Sequence, residues 1–150
     1  MNLKDQISKD LKTALLSGDK GLVFVLRGLK SVILNEEVAQ GKRDTGLEDR
    51  TIVSLLQKEV KKRNEAIELY EKAGESQRAA QEKYEAEVID KYLPEMMSEE
   101  EITSVVESVV SELDERNMSK MGQVIAEVKK RTDGRADGAV IARITKEKLR

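Results

Sequence analysis

The chain has 150 residues, 37 % charged and 39 % hydrophobic, with one proline, four aromatics, no cysteine, no histidine and a net charge of −2. This composition argues against a β-sandwich or barrel, which needs more β-branched, aromatic and turn residues, and favours long amphipathic helices. The missing cysteine and histidine exclude disulfides and thiolate catalysis and remove the two main ligands of ordinary zinc sites, so neither a metal nor a cofactor is expected.

Leu3, Ile7, Leu11 and Leu15 recur every four residues, which predicts an amphipathic helix over 2–16, stopped by Ser17-Gly18-Asp19. A second helix is predicted over 20–40, with Leu22, Leu26, Leu29, Ile33 and Val38 inward and Phe24 and Val25 widening the stripe. The short turn between them makes the two antiparallel neighbours. Gly41 to Gly46 is a polar loop bracketed by glycines. A third helix is predicted over 48–73 on Ile52, Leu56, Val60, Ile67 and Tyr70, with Arg63 in the same series. The expectation for Arg63 is a stem lying over apolar surface and a head reaching water. Lys58, Lys61 and Lys62 share one edge, and the interleaved Glu59 and Glu65 favour a solvated edge over a nucleic-acid patch.

Gly74 ends the third helix, and Ser76 is placed to cap a fourth with the narrow stripe Ala80, Tyr84, Val88, Ile89 and Tyr92. Pro94 disfavours the α conformation at Leu93, so a boundary is expected near 94–98. Ser98-Glu99-Glu100-Glu101 is a capping box, and its carboxylates suit the positive end of a helix dipole better than a metal. Ile102, Val105, Val106, Val109, Val110 and Leu113 make the fifth helix.

The tail carries two short helices around a glycine-bracketed turn. Met121, Val124, Ile125 and Val128 form one stripe, with Ser119 as the expected cap; Val140, Ile141 and Ile144 form the next, capped by Asp137. Residues 119–150 hold nine Lys or Arg against four Asp or Glu, a net of +5 that leaves −7 for the rest. Helix N-termini beside glycines are natural anion sites. The candidate RNA contacts are therefore Lys120, Gly122, Lys129, Lys130, Arg131, Gly134, Arg135, Gly138, Arg143 and Lys146. The opposing interpretation is structural: Gly134 and Gly138 serve a tight turn, Gly122 lets helices pack closely, and Arg135 pairs with a carboxylate.

The Met121-Gly122-Gln123-Val124 run, the Gly134-Arg135-Ala136-Asp137-Gly138 turn and the closing Lys146-Glu147-Lys148-Leu149 resemble the YqeY-like family. Tyr92-Leu93-Pro94 and the early helices extend the resemblance over the whole chain. That family is similar to the tail domain of the B subunit of the glutamyl/aspartyl-tRNA amidotransferase, in which the tail contributes tRNA binding and other domains do the chemistry. The resemblance also implies an association with carbon–nitrogen ligase activity using glutamine as amido donor. No residues for it are found: there is no nucleophile–base pair, no Gly/Ser-rich loop, and no G-x-x-x-x-G-K-[ST] stretch.

The resulting expectation is an all-α fold, with a bundle of about four helices over 1–93 and a three-helix tail subdomain over 98–150. Its expected role is a non-catalytic module binding tRNA or other structured RNA by backbone and shape. The alternative is docking to a translation-related protein complex through an acidic front half. No apolar run resembles a leader or spans a membrane, so no membrane association and a cytoplasmic location are expected.

Overall fold

Helices supply all the regular structure of residues 2–150, which the computed structural model describes. Residue 1, the expected start of the first part, lies outside the described residues. In order the elements are α1 (Leu3–Ser17), α2 (Lys20–Ala39), α3 (Asp49–Lys72), α4 (Ser76–Asp90), α5 (Glu99–Ser111), α6 (Met121–Thr132) and α7 (Gly138–Leu149). A 3-10 turn at Met118–Lys120 precedes α6. The fold is all-α, and the chain divides into two units, Met1–Leu93 and Pro94–Arg150.

In the first unit α1 packs on α2 and α3 on α4. The side chain of Asn2 caps α1 by accepting from the Asp5 N–H at 2.8 Å, and Asp19 caps α2 by accepting from Leu22 at 3.1 Å. Gly18 ends α1 at φ 75°, a conformation that costs glycine little. At the far end the Glu75 N–H donates to the Tyr70 carbonyl at 2.8 Å and closes α3. The chain therefore enters α4 at once. Ser76, expected as the cap, is already inside the helix, and Glu75 makes no side-chain cap.

Ile7, Leu11, Ala14, Val25, Leu26, Leu29, Ile33, Ile52, Leu56, Val88 and Ile89 lead the core. Three stripe assignments shift. A spacing of four residues runs about 40° past a full turn, so a long i+4 series drifts off the core face. Leu15 is accordingly 50 % exposed and Ala14 takes its place. On α2, Phe24 is 68 % and Val38 59 % exposed, while Glu37 is fully buried. On α4 the buried set is Ala79, Glu85, Ala86, Val88 and Ile89, and Ala80 faces out.

The buried charges are paired. Lys4 Nζ meets both Glu37 carboxylate oxygens, at 3.0 and 2.9 Å. Arg63 binds Glu59 at 2.7 Å and lies 3.8 Å from Glu85, with only 18 % of its side chain exposed. Its head, expected to reach water, is held by carboxylates, and little of the side chain is exposed. Burial pushes the Glu85 carboxyl above its ordinary 4.5; Arg63 opposes this and Glu82 adds to it. The Tyr92 hydroxyl donates to Asp10 at 2.5 Å, and burial together with that carboxylate raises the phenol well above its usual range.

In the second unit α5, α6 and α7 each pack on the other two around Ile102, Val106, Val109, Val110, Val124, Val128, Ile141, Ile144 and Leu149. Ser98 caps α5, accepting from the Glu101 N–H at 3.2 Å while its hydroxyl meets the Glu101 carboxylate at 3.2 Å.

Lys4→Met strands the Glu37 carboxylate. Because 39 % of the Lys4 side chain is exposed, a loss of about 1–3 kcal/mol is expected in urea unfolding, below that of a fully buried pair. For Glu85 the folded state holds the proton more tightly than the unfolded state. Its contribution to stability is therefore full below pH 4.5 and falls as pH rises through the interval above that value. Glu85→Gln should flatten the pH dependence of Tm in that interval, and an unchanged slope would refute the assignment.

Candidate nucleic-acid interface

The turn between α6 and α7 is built by its own backbone. The Thr132 hydroxyl donates to the Val128 carbonyl at 2.8 Å, then Asp133 (φ 46°) and Gly134 (φ 80°) take left-handed conformations in succession. Aspartate is among the few non-glycine residues that tolerate this region. The Asp133 N–H donates to Lys129 O at 3.1 Å and the Arg135 N–H to Thr132 O at 3.0 Å. Asp137 then caps α7, accepting from Ala139 at 2.8 Å and Val140 at 3.2 Å.

Arg135 fastens this turn to the segment before α5. Its carbonyl accepts from the Met97 N–H at 2.8 Å, and its Nε donates to the Glu95 main-chain carbonyl at 3.0 Å. Its partner is therefore a backbone carbonyl, where a carboxylate was the structural expectation. Of the three candidate glycines, Gly134 is required by its positive φ. A Cβ on Gly138 would make only ordinary contact with Lys129 Cε at 3.8 Å, and one on Gly122 would meet nothing within 4 Å. Close helix packing is thus not the reason for Gly122.

The cap position of α6 is Lys120, whose side chain makes no cap, while the 3-10 turn before it is capped by Asn117, which accepts from the Ser119 N–H at 3.0 Å. Ser119, expected as the α6 cap, sits in the 3-10 turn and donates its hydroxyl to the same Asn117 oxygen. The N-terminus of α7 already holds a carboxylate, that of Asp137, so the N–H groups it binds are not open to a phosphate.

The charge asymmetry has a definite location. Residues 1–93 hold seventeen basic and seventeen acidic groups, and the −7 falls on residues 94–118, with eight acidic groups against one basic. The acidic front half is therefore a neutral first unit followed by acidic α5 and its flanks. Within the second unit opposite charges meet. Arg131 binds Glu112 at 2.6 Å and Glu127 at 3.0 Å, hydrogen bonds that raise its already high pKa. Arg143 pairs with Glu99 and, at 3.5 Å, with Glu147; Lys148 binds Glu107 at 2.8 Å. The pairs within α6 and α7 follow from i,i+4 spacing. The pairs to α5 had no signal in the sequence.

Among the described residues, Lys120, Lys129, Lys130 and Lys146 make no ion pair. The Lys129 ammonium lies beside Gly138 at the start of α7. Lys130 borders a depression of about 490 Å³ with Gln123, Ala126 and Leu113. The ten sequence candidates thus separate into four unpaired lysines, two arginines held by carboxylates, one arginine held by backbone, and three glycines. Among the described residues no cluster of three acidic groups could hold a metal ion, and no helix is long and apolar enough to cross a membrane.

An all-α chain of two small units defines a helical module. The chain belongs to the YqeY-like family, whose model, described as Yqey-like protein, matches residues 4–149. It is 34 % identical over 116 residues to a Lachancea thermotolerans protein named altered inheritance of mitochondria protein 41, mitochondrial, covering 75 % of this chain and 60 % of that one. Proteins of the same name from Vanderwaltozyma polyspora (30 % identical, 73 % of this chain and 60 % of that one) and Pyrenophora tritici-repentis (28 %, 84 % and 71 %) are also similar. The chain spans 60 % of the length of the two yeast relatives. Their names overturn the cytoplasmic expectation, since all three are called mitochondrial. That expectation rested on the lack of an apolar run, which does not separate the compartments, because mitochondrial transit segments are amphipathic and Arg-rich.

Asp137→Ala removes a cap that serves two N–H groups, and a loss of about 1 kcal/mol is expected. Hydrogen exchange should accelerate at Ala139 and Val140 first; protection unchanged at both would contradict the assigned cap.

Proposed function

We propose that the chain is a non-catalytic helical module whose second unit binds tRNA or other structured RNA through its phosphate backbone. In this reading the first four helices are a supporting bundle, and α5–α7 are the tail subdomain that resembles the amidotransferase tail. The observation that carries it is the set of four lysines, Lys120, Lys129, Lys130 and Lys146, which make no ion pair among the described residues of a unit where other cations do. An unpaired ammonium can meet a phosphate without first abandoning a carboxylate. Arg131 and Arg143 would have to leave two carboxylates each, so they rank behind the lysines. Arg135 projects from the turn already held by a backbone carbonyl and contributes charge to the same region. Residues 94–150 contain no aromatic side chain, which favours folded RNA recognised by shape over unpaired bases recognised by stacking. The absence of a nucleophile–base pair argues against the unit performing amide transfer itself.

The test is fluorescence anisotropy of labelled total tRNA across a salt series. Replacing the four lysines with alanine should weaken binding roughly tenfold or more and reduce the log–log salt slope by about 3. Arg131→Ala should change the slope far less. Equal affinity and slope in a folded quadruple variant would overturn the reading. A protein partner retained after RNA digestion would then favour the docking alternative.

A further inference from the structure

The first unit carries an open groove of about 840 Å³, bordered by Leu15, Val23, Phe24 and Gly28. Phe24 is 68 % exposed and Leu15 50 %, with Leu16 beside it at 82 %. Single exposed apolar residues are ordinary, whereas a group of them around a groove marks a contact surface. Gly28 adds an independent observation. It lies in the middle of α2, where glycine is less stable than alanine. A Cβ built on it meets nothing within 4 Å, and its φ is not positive. Neither packing nor backbone within the described residues calls for glycine there. Gly21, one heptad earlier, differs, since its Cβ would touch the Tyr84 ring at 3.6 Å. What the bare backbone at Gly28 provides is room for another backbone to come close.

The charge around the groove selects the visitor. Lys20 and Arg27 both border it, seven residues apart on one face of α2 and so about 10 Å apart along the axis. Among the described residues neither makes an ion pair. Glu85, the carboxylate of the lining, is buried beside Arg63. We propose that this groove docks an acidic amphipathic helix of a partner protein. Its apolar residues would lie against Leu15, Val23 and Phe24, its backbone would pass close over Gly28, and carboxylates two turns apart would meet Lys20 and Arg27. The groove is lined by residues of the first unit alone, and the inference does not rest on the RNA reading.

The test selects random displayed peptides of about sixteen residues, some four helical turns, against the full-length chain. Enriched sequences should carry apolar residues at i, i+3 or i+4, and i+7, flanked by Asp or Glu. Binding of the best synthetic peptide should fall roughly tenfold or more in Gly28→Leu and in the Lys20→Glu/Arg27→Glu variant, and stay unchanged in Lys129→Ala/Lys130→Ala. Gly28→Leu enters open space with a better helix former, so circular dichroism should show it folded. The proposal is overturned if no enriched peptide is sensitive to Gly28→Leu, or if the enriched peptides are basic or non-helical. A concentration-dependent dimer abolished by Gly28→Leu would overturn it in favour of a second copy of the chain. Sedimentation with anionic phospholipid vesicles that Lys20→Glu/Arg27→Glu abolishes, without peptide binding, would overturn it in favour of a membrane surface.

Discussion

Three ion pairs join the acidic helix α5 and its C-cap to the basic helices α6 and α7, and they decide which cations are left for anything else. Arg131 reaches Glu112, Arg143 reaches Glu99 and Lys148 reaches Glu107. Each is partly exposed, and such pairs contribute little stability individually. The aliphatic cluster of Val106, Val124, Val128 and Ile141 does more to hold the three helices together. The consequence of the pairs is selection. A basic tail opposite an acidic helix is partly neutralised from within, and Lys120, Lys129, Lys130 and Lys146 are among the cations left without a carboxylate.

The two units solve the same problem with the same limited material. With one phenylalanine and three tyrosines in the chain, neither can rely on large rings, so both cores are built from Ile, Leu, Val and Ala. Small aliphatic cores leave little stability to spare, which makes the polar details count. In the first unit the buried Glu37 is held by Lys4, and Arg63 sits between Glu59 and Glu85. In the second, the Asp137 cap and the contacts from Arg135 to residues 95 and 97 close the turn that the family motif contains. Part of that motif is therefore architecture. The reading of the motif as RNA contact rests on the lysines near it more than on its glycines.

Membership of the YqeY-like family ties the chain to relatives named for mitochondrial inheritance. That name states no reaction. Two surfaces are proposed for binding, lysines on the second unit and a cationic apolar groove on the first. They differ in the chemistry they would accept, phosphate in one case and an acidic helix in the other.

Much of the fold was legible because helix formation is a local matter. The fourfold and threefold spacings, Gly18, Gly74, Asp19, Ser98 and Asp137 set helix number and most helix ends through caps and turns formed within a few residues. The glycine turn and the basic tail were visible for the same reason. Tertiary structure alone decided what each charge meets and which side of each stripe is buried. Leu15, Phe24 and Val38 looked like core residues and face outward, because a helix turns through 3.6 residues and the neighbouring helix determines which part of a broad stripe it covers. Glu37, which lay in no predicted stripe, and Arg63, whose head was expected to reach water, are largely buried, because their counterions arrive from other turns and other helices. Sequence spacing records neighbours along one helix; partners on another helix exist only once the helices have packed.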